Sequence, residues 1–301
     1  MGTGAGAPTL KRGGPSILIH RNGERFMFDC GEATQLAVKR YRFRLKGLRA
    51  VFITHMHGDH VLGLPGLVMS LSLNSAVQEL KVYGPRGLNE FMKSIFKSTN
   101  YWPNFSLEIN EIDFLAAPAE IFSTDEYLVR AVSSDHVVPS FAYSFEEKPR
   151  QGRFNSEKAN EIGIPRGPLW GALQRGESIT FHGESVTPNQ VLGPPRRGAK
   201  IVYSGDTRPC GRILELATNA DLFIHEATMN DDDVEGAWAG GHSTVSQALR
   251  MIAQSHCARA VLTNFGQSVD VARLKTEFSA SSEMSFAEDG VSVEVEPETE
   301  V

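Results

Sequence analysis

Four apolar runs of strand length in this chain stop abruptly at residues that bind metals or move protons. The run 49–53 leads into Thr54-His55 and the run 200–203 into Ser204-Gly205-Asp206. The run 221–224 leads into His225-Glu226, and 260–263 into Asn264. Short continuous apolar runs suit strands covered on both faces. Polar residues at their C-terminal ends are where layered α/β folds place a site. Ahead of these, Ile17-Leu18-Ile19 and Arg25-Phe26-Met27-Phe28 flank Asn22-Gly23, which predicts a hairpin because both turn residues tolerate positive φ. A helical stretch is expected from about Ala33. Thr244 with Gln247 forms a capping box, followed by the apolar face Val245, Ala248, Leu249, Ile252 and Ala253. The expected fold class is α/β: an αββα sandwich of two facing sheets with helices outside.

Composition narrows the function. The 301 residues are 41% hydrophobic and 22% charged, ordinary for a globular chain and incompatible with general disorder. No apolar run reaches the roughly 18 residues of a membrane span. No secretory signal stands at the start, and Gly6 breaks the myristoylation pattern. Net charge is −6, so any contact with nucleic acid must come from local basic patches. The three cysteines, Cys30, Cys210 and Cys257, are few and far apart, which points away from a disulfide scaffold and toward a reducing, cytoplasmic setting. All three read as structural.

Thr54-His55-Met56-His57-Gly58-Asp59-His60 holds four potential ligands within six residues. After a strand end, His55 and His57 can face one cation, and Asp59 and His60 a second. Imidazole and carboxylate suit zinc, and mixed ligands with an open position describe a catalytic site. Two cations about 4 Å apart clamp a phosphate and activate water. His136, Asp206 and His242 are each weak candidates alone but together, at successive strand ends, describe one site. Between them, residues 148–175 carry six basic residues against two acidic, with Gly167-Pro168 in the middle, and read as a projecting arm. The run 39–46 (KRYRFRLK) and Lys11-Arg12 add local positive charge. The segment from Pro297 reads as a frayed acidic tail.

These residues resemble a known family. His-x-His-x-Asp-His is similar to the signature of the metallo-β-lactamase superfamily. Gly2 to Pro8, Phe28 to Gln35, Phe52 to Pro65, Ser204 to Pro209, His225-Glu226-Ala227-Thr228 and Gly241-His242-Ser243-Thr244 resemble, in order and spacing, the ribonuclease Z family of tRNA 3′-processing endonucleases. The resemblance implies a single domain over 1–301 with an inserted tRNA-binding arm at about 148–187. It implies two zinc ions per protomer. His55, His57 and His136 would hold one, Asp59 and His60 the other, and Asp206 would bridge. Asp59 would accept the proton of the attacking water. His242, supported by Glu226, would protonate the departing ribose oxygen. The arm, with Lys148, Arg150, Arg153, Lys158, Arg166, Gly167, Pro168 and Arg175, would grip precursor tRNA across a homodimer. The expected activity is removal of 3′ trailers, leaving a 3′-hydroxyl on the tRNA.

Three departures stand out. Asn264 occupies the position of the family's last ligand histidine; its neutral amide is a weaker ligand for zinc and opens that site to manganese or magnesium. Gln267-Ser268-Val269 replaces the family's Arg-Tyr. The apolar strand that precedes Gly-Thr-Gly in the family is missing, so a truncated start with a short edge strand is expected. Asn264 also opens the reading of a catalytically impaired homologue that binds tRNA or serves as a partner subunit. A small-phosphodiester hydrolase of the same superfamily is the third reading.

Overall fold

The computed structural model describes residues 1–278 and 283–297. The acidic tail expected beyond Pro297 lies outside the described residues. Strands β1 (Ile17–Arg21), β2 (Glu24–Phe28), β3 (Leu48–Phe52), β4 (Glu79–Pro85) and β5 (Ser106–Ile112) form one sheet in that order, antiparallel at β1–β2 and parallel thereafter. The chain then builds β6 (Ala119–Ser123), β7 (Tyr127–Ser133) and β8 (Phe141–Glu147). β9 (Ile179–Phe181) and β10 (Glu184–Val186) pair with each other. β11 (Lys200–Tyr203), β12 (Leu222–Glu226), β13 (Ala260–Thr263) and β14 (Met284–Phe286) follow. The second sheet runs β14-β13-β12-β11-β8-β7-β6. Its β11 to β14 half is parallel and its β6 to β8 half antiparallel.

The expected sandwich is present, and side-chain alternation explains it. Phe26, Phe28, Ala50 and Phe52 point inward against Tyr127, Tyr143, Phe145, Tyr203 and Ile224 of the facing sheet. Met27, Val51 and Ile53, one step out of phase, point outward under helices Gly63–Leu73 and Leu88–Ser98. Phe28, Phe52 and Tyr83 stack with centroids 5.1 and 5.2 Å apart. Each such pair adds about 1 kcal/mol beyond its buried area. On the other outer face, Val132, Val202 and Phe223 pack against Ile213 and Leu216 of helix Gly211–Ala217 and Met251 of helix Val245–Ser255.

The predicted hairpin turns at Asn22 and Gly23, with φ of 48° and 87°. The helix expected from Ala33 spans Thr34–Arg40. The excursion between β8 and β11 continues past residue 187 to Ala199. It is not a bare loop: Ala159, Ile164, Leu173, Ile179, Val186 and Val191 form a small apolar core of its own. Among the described residues, no helix is long and apolar enough to cross a membrane.

The parallel register of β11, β12 and β13 brings their C-terminal ends to one edge. β8 runs antiparallel to β11, with Tyr143 opposite Tyr203, so the β7–β8 loop reaches the same edge. Phe141 N–H donates to the Thr54 carbonyl at 3.0 Å and ties β3 of the other sheet to it. Every polar strand end noted in the sequence except His225 faces this edge.

Candidate metal centre

Three nitrogens converge first. His55 and His57 follow β3, and His136 lies in the β7–β8 loop. His57 Nδ1 is 3.0 Å from His55 Nε2 and 3.3 Å from His136 Nε2. His136 Nδ1–H donates to the Gly241 carbonyl at 2.7 Å, which leaves Nε2 as a lone pair aimed at the cluster. That approach is close enough to require glycine. A Cβ at Gly241 would meet His136 Nδ1 at 2.7 Å, and the backbone there is left-handed at φ 78°.

A second group sits beside it. Helix Gly58–Val61 presents Asp59 and His60. His60 Nδ1 pairs with Asp29 Oδ2 at 2.7 Å, which turns the buried, unpartnered Nε2 into the site. That nitrogen is 3.7 Å from Asp59 Oδ2 and 3.4 Å from Asp206 Oδ2. The same Asp206 oxygen is 3.7 Å from His55 Nε2 and 3.7 Å from His242 Nδ1, so one carboxylate faces both groups. Burial alone would raise the Asp206 carboxyl, but His60, His55 and His242 hold it far below the usual range. His60 is correspondingly held well above the usual histidine value: burial opposes the charge, and Asp206 and Asp29 outweigh it. His55 is pushed well down by burial and by His60.

Convergent imidazole nitrogens around a buried carboxylate fit a divalent cation, and the ligand atoms of His55, His57 and His136, and of His55, His60 and Asp206, lie within 4.8 Å of one another. Asn264 enters differently from a ligand histidine. Its Nδ2 donates to Asp206 Oδ1 at 2.6 Å, while its Oδ1 is buried with no hydrogen-bond partner. It sits at φ 53°, a left-handed conformation that asparagine tolerates well.

Glu226 and His242 form a third group. Glu226, fully buried at the end of β12, accepts from Thr207 N–H at 2.8 Å and Thr228 N–H at 3.1 Å. His242 Nδ1 meets its Oε1 at 3.1 Å. Burial depresses the His242 ring, but that hydrogen bond and the Glu226 charge override it and raise the ring above its usual value. His225 is the exception among the strand ends. The pleat sends it to the Phe223 face, with ring centroids 5.2 Å apart, away from the site.

The basic residues of the excursion are not part of this cluster. Arg150, Arg153, Lys158, Arg166, Gly167, Pro168 and Arg175 are exposed and Lys148 is half-buried. Arg150 pairs with Glu147 and Arg175 with Glu177. Pro168 opens helix Pro168–Gln174, with Gly167 before it at φ 152°. Among the described residues, the candidate ligand groups contain no cysteine, and burial drives the Cys30 thiol up to about 12.

Sequence reasoning missed Asp29, the hub of the second group. It accepts from Thr54 N–H at 2.8 Å and from the Tyr203 hydroxyl at 2.9 Å as well as facing His60. Asp29 follows β2 as Asp206 follows β11, but a lone aspartate there reads equally as a turn residue. Gly6 was missed too; its N–H donates to Asp59 Oδ2 at 2.7 Å.

A family model described as "Anti-Pycsar protein Apyc1" matches residues 1–144. Ribonuclease Z of Methanosarcina acetivorans is 39% identical over 264 residues, covering 88% of this chain and 85% of that protein. The crystal structure of human tRNase Z, short form, superposes with a TM-score of 0.71 at 26% identity, covering 98% of this chain and 97% of that one. A metallo-β-lactamase fold protein, YhfI from Bacillus subtilis, shares the fold with a TM-score of 0.65 at 17% identity, covering 96% of this chain and 95% of that one. The chain has the metallo-β-lactamase fold and belongs to the ribonuclease Z family.

Proposed function

We propose that this protein is a metal-dependent endoribonuclease that removes 3′ trailers from precursor tRNA. The observation that carries the reading is Asp206, which faces the two histidine groups with one oxygen that His242, braced by Glu226, also approaches. Family membership supplies the substrate class.

Zinc is the expected metal. His55, His57 and His136 would hold one ion, with Asp206 shared; His60 and Asp59 would hold the other. A cation there supplies Lewis-acid stabilisation of phosphate charge and acidifies the attacking water. The rest is the work of the chain. Asp59, oriented by the Gly6 N–H, takes the proton from that water as its oxygen bonds to phosphorus. His242 gives its proton to the departing ribose oxygen, and Glu226 stabilises the charged ring before transfer. The P–O3′ bond breaks, the tRNA keeps a 3′-hydroxyl and the trailer keeps the phosphate. Asn264 weakens the second ion's ligand set, because its amide nitrogen is engaged by Asp206 and its oxygen is a neutral donor.

The basic excursion would grip the tRNA away from the cut. The working unit is a homodimer. Support for it comes from Leu36 and Leu73, exposed by 68% and 83% on the neighbouring helices Thr34–Arg40 and Gly63–Leu73, and from Leu62, 54% exposed in the turn before the second. Light scattering of the protein and of a Leu36→Glu/Leu73→Glu variant tests it: a wild-type monomer contradicts the dimer.

The deciding assay is cleavage of a trailer-bearing precursor tRNA with zinc and with manganese, with both product ends mapped. A cut after the last nucleotide of the tRNA body, leaving a 3′-hydroxyl, is expected. An intact precursor in both metals would overturn the reading.

A further inference from the structure

The loops that carry His136, Asp206 and His242 meet at a rim cluster that none of these roles uses. Arg208, two residues past Asp206, places its guanidinium carbon 4.9 Å from the centroid of the Trp238 ring. Its Nε donates to the Trp238 carbonyl at 2.7 Å, and its Nη1 pairs with Asp135, the neighbour of His136, at 2.9 Å. Its backbone N–H donates to the Asp135 carbonyl at 2.8 Å. Trp238 lies in helix Val234–Gly240, which leads directly into His242. The arginine is thus fixed and only 15% exposed, while the indole is 61% exposed. Val137, beside His136 and 51% exposed, extends the apolar rim.

A large aromatic held in water at the mouth of a polar site, with one face covered by a fixed cation, offers its other face. That is the geometry on which unstacked bases rest. We infer that Trp238, backed by Arg208, is the stacking platform for the base of the nucleotide whose 3′ oxygen departs. The inference rests on the endonuclease reading, which sets the side of the cut. His242 protonates the 3′ oxygen, so the nucleotide on the 5′ side of the break lies by the His242 loop, and Trp238 is on the helix that feeds that loop. Stacking reads no hydrogen-bond pattern, so any base is accepted, and purines, with more ring to overlap, are held more firmly.

The test uses metal-loaded protein and precursor tRNA with a normal or an abasic nucleotide at that position. The abasic change should raise the wild-type KM roughly tenfold and Trp238→Ala should do the same on the normal precursor, with kcat moving by no more than about twofold. Trp238→Ala should be indifferent to the abasic change, and Trp238→Phe should recover most of the loss. Multiplying losses in the double change, or a parallel fall in kcat, would overturn the platform and leave a structural tryptophan. A second measurement separates this from failure of the endonuclease reading. With Asp59→Ala in a Trp102→Phe/Trp170→Phe background, the remaining indole should be quenched by the normal RNA and far less by the abasic one, whether or not the wild type cuts. Equal quenching by both would sink the inference.

Discussion

At the residue scale, the site depends on side chains whose neighbours fix one orientation. Asp59→Ala should lower precursor cleavage by at least about a hundredfold, the range of a lost general base or acid, while circular dichroism and melting temperature stay near wild type. Retained cleavage would remove Asp59 from its proposed role. Asn264→His exchanges a neutral amide for an imidazole and frees Asp206 Oδ1. Zinc per protomer, read by elemental analysis after dialysis, should rise toward two ions. An unchanged ratio would mean that Asn264 already serves the second ion adequately. The sequence made His55, His57, Asp59 and His60 legible because they crowd one strand end. Asp29 was not legible, because a lone aspartate after a strand looks like a turn residue until His60, Thr54 and Tyr203 are seen to close on it.

At the scale of elements, two contacts hold the layers where the site needs them. Arg21, at the end of β1 and largely buried, bonds Glu147 at the end of β8 and Glu126 before β7, each at 2.7 Å, and lies 5.1 Å over the Tyr127 ring. Burial tends to raise the Glu147 carboxyl, but Arg21 and the Ala199 N–H bring it below the usual range. A carboxyl with a depressed folded pKa stabilises the protein above its unfolded value, and that stabilisation is lost as pH falls. Arg21→Met should therefore cost only about 1 to 2 kcal/mol at pH 7, because Glu126 is exposed and Glu147 keeps Arg150. The difference from wild type should narrow in urea melts below about pH 4.3. A gap independent of pH would assign the cost to packing instead. The Thr244 capping box starts helix Val245–Ser255 directly after His242. Thr244→Ala should remove about 1 kcal/mol of stability. The box was legible because it is local; the Arg21 clamp was not, since it joins residues 105 and 126 positions apart.

At the scale of the whole molecule, the proposed function divides cutting from gripping between the sandwich and the excursion. The excursion leaves between β8 and β11, returns through an Arg150–Arg196 bridge, and carries its own apolar core. Replacing residues 151–195 with a short glycine-serine linker should abolish precursor cleavage at physiological salt while bis(p-nitrophenyl) phosphate hydrolysis survives. Loss of both activities would show that the excursion supports the metal centre. Strand ends and periodicity made the sandwich legible, because each apolar run has the length and composition of a covered strand. The compactness of the excursion was hidden: its apolar residues are short runs among glycine, proline and charge, and only their meeting in space makes a core. The way the centre is assembled also bears on the life of the chain before it is complete. Asp29 reaches Tyr203 across 174 positions, and Asp206 is pinned by Asn264. A polypeptide still emerging from the ribosome, short of residue 264, has no finished centre. On the proposed function, cleavage therefore begins only once the chain beyond residue 206 has folded back onto the first sheet.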